Sequence, residues 1–295
     1  MQLPGIELHF ACKAAFCDTL VNNPYLSKLH IFQKDVSEIY NDLKSEKFDL
    51  VIDLHKNLRS ARLKRTLNTR SLSFSKLNIQ KFLAVRLKMR KALPDKHIVD
   101  RYLDTVKPLG ITNDGKGLDY FLSIHDFVDV KTLYLKNAVT NFTVLVVGGS
   151  YFTKQIPLNK LEEICSRIQT PVILLGGSDD KIIADQLKSK YPLLINLCGA
   201  LSLNQSASVI KQSSLVITSD TGLMHMAAAF NKRIISVWGN TIPEFGMGPY
   251  LPQPENQIMQ VKDLSCRPCS KLGYDKCPRG HFKCMNDIDV SAFKF

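Results

Sequence analysis

The chain has 295 residues, enough for two α/β domains of ordinary size, and 45% of them are hydrophobic against 22% charged. That balance describes a folded globular protein and excludes a disordered or low-complexity chain. No apolar run reaches the roughly 18 residues of a membrane-spanning helix.

The net charge is +12 and it is concentrated: residues 56–96 hold 13 Lys and Arg against one acid, Asp95, so the remainder is neutral. A belt of this kind implies an anionic partner, and nucleic acid, an acidic membrane surface and a phosphorylated glycolipid all qualify. The plain alternative is a solvated helical face. The start, MQLPGIELHF, lacks the basic and apolar regions of an export signal, so a cytoplasmic location with reduced thiols is expected.

Along the chain, Ile6–Ala11 alternates apolar and polar residues and predicts a strand. Residues 13–22 read as a helix, Asn23-Pro24-Tyr25 as a turn, and Leu29–Phe32 as a second strand. Val36–Glu46 has helical spacing, and Phe48–Leu54 is a third, strongly apolar strand. Residues 55–95 read as helical and basic, and residues 97–110 as a helix ended by Gly110. Asp126–Asn141 reads as the connection between domains. The pattern then restarts with a strand at Phe142–Val147, a Gly148-Gly149-Ser150 turn and a helix at Leu158–Gln169. A strand at Val172–Leu175, a turn through Gly176 and Gly177, and a helix to Lys190 follow. Leu194–Leu197 is a strand and Gln205–Gln212 a helix. Alternating strands and helices predict parallel, doubly wound sheets. The expected fold is α/β, two Rossmann-like domains facing a cleft in a GT-B-like arrangement, cut at 1–135 and 136–295. A doubly wound sheet has its first strand in the middle. Here Met1 to Gly5 reads as a turn before a second strand, so the first domain is expected to be incomplete.

The richest stretch is Leu215–Tyr250. Leu215-Val216-Ile217 is a buried strand, Thr218-Ser219-Asp220 suits a helix N-cap, Thr221–Phe230 is a helix, and Arg233–Gly239 is another strand. The helix N-terminus lies at the carboxyl end of a parallel strand, where its free N–H groups would face a diphosphate and Gly222 lets the anion approach. An ordinary capped βαβ unit is the plain alternative. Polar groups crowd this strand end: Ser219, Asp220, Thr221, His225 and Asn240-Thr241.

Three other strand ends carry candidate chemistry. Ser150, Thr153 and Lys154 follow a strand and could hold phosphate oxygens, although the segment is not a P-loop. Asp179 or Asp180 could accept from a ribose diol, or cap a helix. Asp53, His55, Lys56, Asn57 and Arg59 close the third strand, where the last four could bind an anionic acceptor. Asp53 or His55 would be a substitute base. Cys266-x2-Cys269-x7-Cys277-x6-Cys284, with His281, has some look of a structural zinc site. Its second pair is spaced too widely for a standard ribbon, and free thiols packed in a loop remain the alternative.

Asp220-Thr221-Gly222-Leu223-Met224-His225 with Ala227-Ala228-Ala229 and Trp238-Gly239-Asn240-Thr241 resembles the signature of the heptosyltransferases, glycosyltransferase family nine. That resemblance implies an inverting, metal-independent transferase with no cofactor. It would move a sugar from a nucleotide diphosphate donor, ADP-heptose, to an anionic glycolipid of the lipopolysaccharide core at the inner-membrane surface. It implies Lys154 at the phosphates, Asp180 at the ribose, Leu201 near the base, Asp220 on the sugar hydroxyls, His225 supporting the loop, and Asp53–Ser60 on the acceptor side. The family's catalytic Asp follows an early strand in a Gly-Asp turn. No such pair occurs here, so the alternative is a catalytically inactive remnant of that family. A nicotinamide enzyme is disfavoured because no Gly-x-Gly-x-x-Gly follows a strand. A nucleic-acid binder is disfavoured because only Phe74 and Phe82 interleave the basic belt.

Overall fold

In the computed structural model, which describes residues 3–135 and 141–295, β1 (His9–Lys13) pairs in parallel with β2 (Lys28–Phe32), His9 opposite Lys28 and Ala11 opposite His30. Between them lies a short 3-10 turn, Ala14–Thr19, where the sequence predicted a longer helix. α1 (Tyr40–Ser45) follows, then β3 (Val51–Asp53), α2 (Leu58–Leu67) and β4 (Ser71–Ser73), which pairs in parallel with β3. Asn68, in the left-handed conformation that Asn tolerates, ends α2. The region expected to be helical throughout therefore contains a strand. Its β signal was hidden because Ser71-Leu72-Ser73 is short and polar. α3 (Asn78–Arg86) and α4 (Ile98–Val106) complete the first half. Phe74 anchors α4, with Tyr102 edge-on at 4.8 Å and the Arg101 guanidinium 5.0 Å above the ring.

The second half holds α5 (Val130–Tyr134), β5 (Thr143–Val146), α6 (Leu158–Arg167), β6 (Val172–Leu175), α7 (Lys181–Lys190) and β7 (Ile195–Asn196). It continues with α8 (Leu203–Gln212), β8 (Leu215–Ser219), α9 (Gly222–Ala229), β9 (Arg233–Trp238), β10 (Gln257–Gln260) and α10 (Lys283–Asn286). β5 to β10 form one parallel sheet in the order β10-β9-β8-β5-β6-β7. The chain starts in the middle, winds outward to β7, then crosses back to β8 and winds the other way. Alternate residues of each strand enter opposite cores. Leu145, Leu174, Ile217 and Ile235 pack with Leu161 and Ile164 of α6 and Leu187 of α7. Val144, Ile173, Val216 and Ile234 pack with Val209 of α8 and Met224 and Ala227 of α9. Burial on both faces is why these strands read as continuous apolar runs rather than alternating ones.

The described residues of Met1–Leu77 form one compact unit with Lys96–Lys116, and Asn78–Asp95 form the other with Gly117–Phe295. The sequence alone set one cut at 135/136. That cut, part of the 126–141 connection, and Met1-Gln2 of the expected opening turn lie outside the described residues. α3 packs with the second unit, where Ala84 joins Leu93, Ile242 and Phe245 in a small cluster. The ladder of the first unit is split among the described residues: β1·β2 and β3·β4 are separate two-stranded sheets.

The hydrophobic clusters found among the described residues all belong to the second unit. Two-stranded sheets without a shared core are marginal. Hydrogen exchange is therefore expected to open β1–β4 at lower free energy than β5, β6 and β8. Uniform protection of both sets would contradict the split core.

Candidate functional site

The strand order of the second unit reverses between β5 and β8, so the crevice where doubly wound sheets bind ligands lies beyond the carboxyl ends of these two strands. β5 leads into Gly148-Gly149-Ser150 and the 3-10 turn Phe152–Lys154, and β8 leads into Asp220 and α9. The two loops meet. Lys154 Nζ lies 2.7 Å from Asp220 Oδ2 and 3.4 Å from the Asp220 carbonyl oxygen. Thr241, beyond β9, donates from Oγ1 to the same Asp220 oxygen at 3.0 Å. One carboxylate thus joins the ends of three neighbouring strands. Both partners of the ion pair are largely buried, with side chains 16% and 11% exposed, so the pair is screened less than a surface one.

The start of α9 is uncapped. Thr221 occupies the N-cap position with extended backbone, but its side chain caps no N–H; its hydroxyl lies 3.1 Å from that of Thr218. The first-turn N–H groups therefore keep their capacity for an acceptor, and the helix dipole favours an anion. Gly222 is exposed, and a Cβ there would meet no protein atom within 4 Å. His225 is half-buried on the same helix, and Ser150 is exposed on the facing loop. At the next strand end, Gly148 and Gly176 admit Asp180: a Cβ on Gly148 would fall 2.0 Å from Asp180 Oδ2. That same oxygen accepts from Gly177 N at 2.8 Å, so Asp180 caps its turn and leaves Oδ1 for other partners. Leu201 is half-buried against the α8/α9 core.

Thr153 departs from its expected role. It is buried, its hydroxyl donates to Tyr274 O at 3.1 Å and accepts from Tyr274 N at 2.8 Å. Both functions of the hydroxyl are used, so it braces the Lys154 turn against the tail rather than holding phosphate.

Of the groups that brace this site from behind, the sequence points to Ser219, Gly239 and Asn240 but not to Arg267. A Cβ on Gly239 would lie 2.7 Å from Thr153 O, so glycine is needed where β9 passes the Lys154 turn. Arg267, 1% exposed, donates to Thr241 O and Val261 O at 2.7 Å and to Gln260 Oε1 at 3.0 Å. Burial, then the nearby Arg90, pulls its pKa down from the ordinary guanidinium value. Nothing in the sequence near Arg267 distinguishes a buried arginine from the many exposed ones. The Ser219 hydroxyl and the Asn240 side-chain amide are buried without a hydrogen-bond partner at the same sheet edge. Such groups are rare in folded proteins and call for a ligand or water.

In the first unit, Asp53 is buried, with one oxygen held by backbone N–H groups and the other in an ion pair that lacks hydrogen-bond geometry. Its Oδ1 accepts from the N–H groups of His55 at 3.0 Å and Lys56 at 2.7 Å, and Oδ2 lies 2.8 Å from Lys64 Nζ. Burial alone would raise its pKa, but the Lys64 and Lys56 contacts outweigh that and hold the carboxyl below its ordinary range. This is the setting of a structural cap, which makes Asp53 a poor general base. Asn57 is likewise spent as the N-cap of α2, accepting from Ser60 N at 3.0 Å. His55 and Lys56 are exposed, and Arg59 lies 3.6 Å from Asp35.

The basic belt is not one face. Lys88 donates to the carbonyls of Cys266 and Pro268, and Arg90 to that of Arg267, so both serve the tail of the second unit. A shallow recess bordered by Lys64, Arg65 and Arg70 lies on the first. The four tail cysteines are free thiols, with Cys266 Sγ 3.9 Å from His281 Nε2. Burial first, and the neighbouring thiols second, raise the pKa of Cys269, and burial raises that of Cys284 to about 12. Among the described residues these four do not converge on one ion-sized site; the cluster that does is His9, His30 and Glu46.

Comparison with known proteins adds to this geometry. The sequence profile of glycosyltransferase family 9 (heptosyltransferase) matches residues 36–275. Lipooligosaccharide heptosyltransferase 2 of Haemophilus influenzae is 32% identical over 91 residues, 29% of this chain and 26% of that protein. The chain thus spans about a quarter of the length of the first curated relatives it matches. Lipopolysaccharide heptosyltransferase 1 of Pseudomonas aeruginosa is 28% identical over 294 residues, 91% of this chain and 79% of that one. Among solved structures, the ADP-heptose lipopolysaccharide heptosyltransferase II of Escherichia coli superposes with a TM-score of 0.67 at 16% identity, covering 97% of this chain and 90% of that one. At that identity the likeness establishes the shared α/β fold with its parallel sheet.

The depressed pKa of Asp53 has a consequence for stability. Its contribution is complete above the ordinary carboxyl range and is lost as pH falls through the lower folded value. Asp53→Asn is expected to cost about 1–3 kcal/mol at neutral pH and to flatten the acid limb of the unfolding curve. An acid limb as steep as that of the native chain would show that Asp53 is not so held.

Proposed function

The chain belongs to glycosyltransferase family 9, the heptosyltransferases, and from that premise we propose that it transfers a sugar from a nucleotide diphosphate donor to an anionic glycolipid of the lipopolysaccharide core. The observation that carries this reading is the meeting of Lys154, Asp220 and the uncapped start of α9 at the reversal of strand order. A diphosphate placed there receives the Lys154 charge and the N–H groups of Gly222 and Leu223 together. ADP-heptose is the donor proposed, in keeping with the donor named for the E. coli protein. Asp180 Oδ1 would take the ribose, Leu201 the flank of the base, and Asp220 a sugar hydroxyl through the oxygen that Lys154 and Thr241 leave unused.

In this reading the acceptor hydroxyl oxygen bonds to the anomeric carbon from the face opposite the diphosphate, giving inversion. The bond from that carbon to the phosphate oxygen breaks, and its electron pair leaves with the diphosphate. Lys154 and the α9 N–H groups stabilise the charge that develops, a role that requires no metal ion at the phosphates. The hydroxyl proton goes to a base. With Asp53 committed, His55 is the better of the two candidates at that strand end. Exposed Lys56 and Arg59 would meet the acceptor's phosphates. No helix among the described residues is long and apolar enough to cross a membrane, and we place the chain at the cytoplasmic surface of the inner membrane, held there by its acceptor.

A second reading, donor binding without transfer, is favoured by the commitment of Asp53 to its cap. The two readings share the donor site and part on turnover. ADP at about 100 times its Kd is expected to stabilise the chain by about 2.7 kcal/mol, read as a rise in Tm. Gly222→Val should abolish the shift without loss of fold, because the added atoms point into open space toward the diphosphate. Lys154→Ala should weaken ADP about 10- to 100-fold, the cost of one charge-assisted contact. Failure of every nucleoside diphosphate to raise Tm would overturn the proposal. Donor consumption with a core acceptor present would then separate transfer from binding alone.

A further inference from the structure

The space between β1, β2 and the end of α1 is filled by polar side chains where the second unit has an apolar core. His30, fully buried in its side chain, and His9, 11% exposed, face each other with His9 Nδ1 and His30 Nε2 3.1 Å apart. Their other ring nitrogens face carboxylates. Asp42 Oδ2 contacts His30 Nδ1, and Glu7 Oε2 lies 3.8 Å from His9 Nε2. Asp42, an acceptor only when ionised, fixes the His30 proton on Nδ1 and leaves Nε2 with a lone pair toward His9, whereas Glu7 at 3.8 Å is too far to fix the His9 tautomer. His30 Nε2 then faces His9 Nδ1 as an acceptor. The contact is closed either by the His9 Nδ1 proton or by a metal ion that takes both nitrogens as ligands.

Glu46 supplies a third donor. Its Oε2 lies 3.9 Å from His9 Nδ1 and its Oε1 4.0 Å from His30 Nε2. Lys28 donates to Oε1, which holds the carboxyl in its ionised form below the ordinary range and leaves Oε2 toward the histidines. Bonds of roughly 2.0–2.2 Å in tetrahedral geometry place donor atoms about 3.4 Å apart. The separations of 3.1, 3.9 and 4.0 Å bracket that value, the last two to different Glu46 oxygens, so the carboxylate must turn by roughly 0.6 Å or more to bring one oxygen to both nitrogens. Glu7, Asp42 and Glu46 against Lys28 leave the cluster with two net negative charges, matched to a dication. The Asp42 carboxylate behind His30 is the arrangement that orients an imidazole ligand in metal sites.

We propose that His9 Nδ1, His30 Nε2 and the Glu46 carboxylate bind a divalent transition-metal ion, with Zn2+ the best fit to two imidazoles and a carboxylate, as a structural staple of the first unit. The ion joins β1, β2 and the C-terminal end of α1, beside Phe48, whose ring meets both imidazoles edge-on. Metal affinity then adds directly to the stability of this unit.

The test uses the whole chain, stripped with a chelator and titrated with Co2+ and then Zn2+. The expected result is one ion per chain, a rise in Tm, and a tetrahedral Co2+ visible spectrum without the intense sulfur charge-transfer band that the cysteines would give. His9→Gln and Glu46→Gln should each weaken binding by at least about 100-fold, and Asp42→Asn, which touches no metal, by about 10- to 100-fold. The native Co2+ spectrum does not depend on any variant folding. The proposal is overturned by a Co2+ spectrum showing thiolate ligation only. It is equally overturned by unchanged affinity in His9→Gln and Glu46→Gln, or by no bound ion in a folded chain, which would assign the inner nitrogens a shared proton.

Discussion

Asp220 ties the second unit's sheet edge together. One of its oxygens receives both Lys154, from the turn beyond β5, and Thr241, from the loop beyond β9, while its own backbone ends β8. These strands are neighbours only because the sheet order reverses between β5 and β8. A reversal parts the two flanking loops and leaves a crevice, and the carboxylate spans it. The shell behind the crevice is similarly economical. Thr153 is locked to Tyr274, Gly239 lets β9 pass close to Thr153, and buried Arg267 holds the Thr241 carbonyl. Side chains so held lose little further freedom when a ligand arrives, which is the condition for a preorganised anion site.

The two units solve the same folding problem with different means. In the second, parallel strands buried on both faces place alternate residues into two apolar cores. In the first, the ladder is split into two pairs, and side chains that carry charge or ring nitrogens occupy the space beside β1 and β2. Buried polar groups need every partner satisfied to stabilise a fold. The His9–His30–Glu46 cluster meets that condition once a cation sits among its donors. Phe74 with Arg101 and Tyr102 supplies the apolar anchor at the other end of the unit.

The basic belt shows why charge counted along a chain differs from charge on a surface. Lys64 is paired with Asp53, Lys88 and Arg90 are turned onto backbone carbonyls of the tail, and Lys96 is paired with Asp104. The lysines and arginines left to meet an anion are fewer than the sequence suggests, and they are divided between the two units.

The sequence by itself determined five of the six strands of the second unit's sheet and most of the helices between them. β5, β6, β8 and β9 are apolar runs because both faces are buried, and the helices carry the 3.6-residue period of one buried face, so each pattern has a single physical reading. The polar strand end at Ser219–Thr221 and the glycine that opens it were legible, but Thr218–Asp220 predicts a capped helix and the structure leaves α9 uncapped, with donors for an anion. Short polar strands were not legible. Ser71–Ser73 and Gln257–Gln260 are strands by virtue of the neighbours that accept their hydrogen bonds, and the sequence of an edge strand says little about its partner. The roles of polar side chains were decided by tertiary structure. Thr153 could hold a phosphate or brace a loop, Asp53 could be a base or a cap, and the four tail cysteines could converge or remain apart. Each choice depends on which backbone amide, lysine or thiol lies within about 3 Å, a distance set by segments far away in sequence. His9, His30 and Glu46 lie on three separate elements, and only the register of β1 against β2, with α1 folded back beside them, brings their donor atoms together.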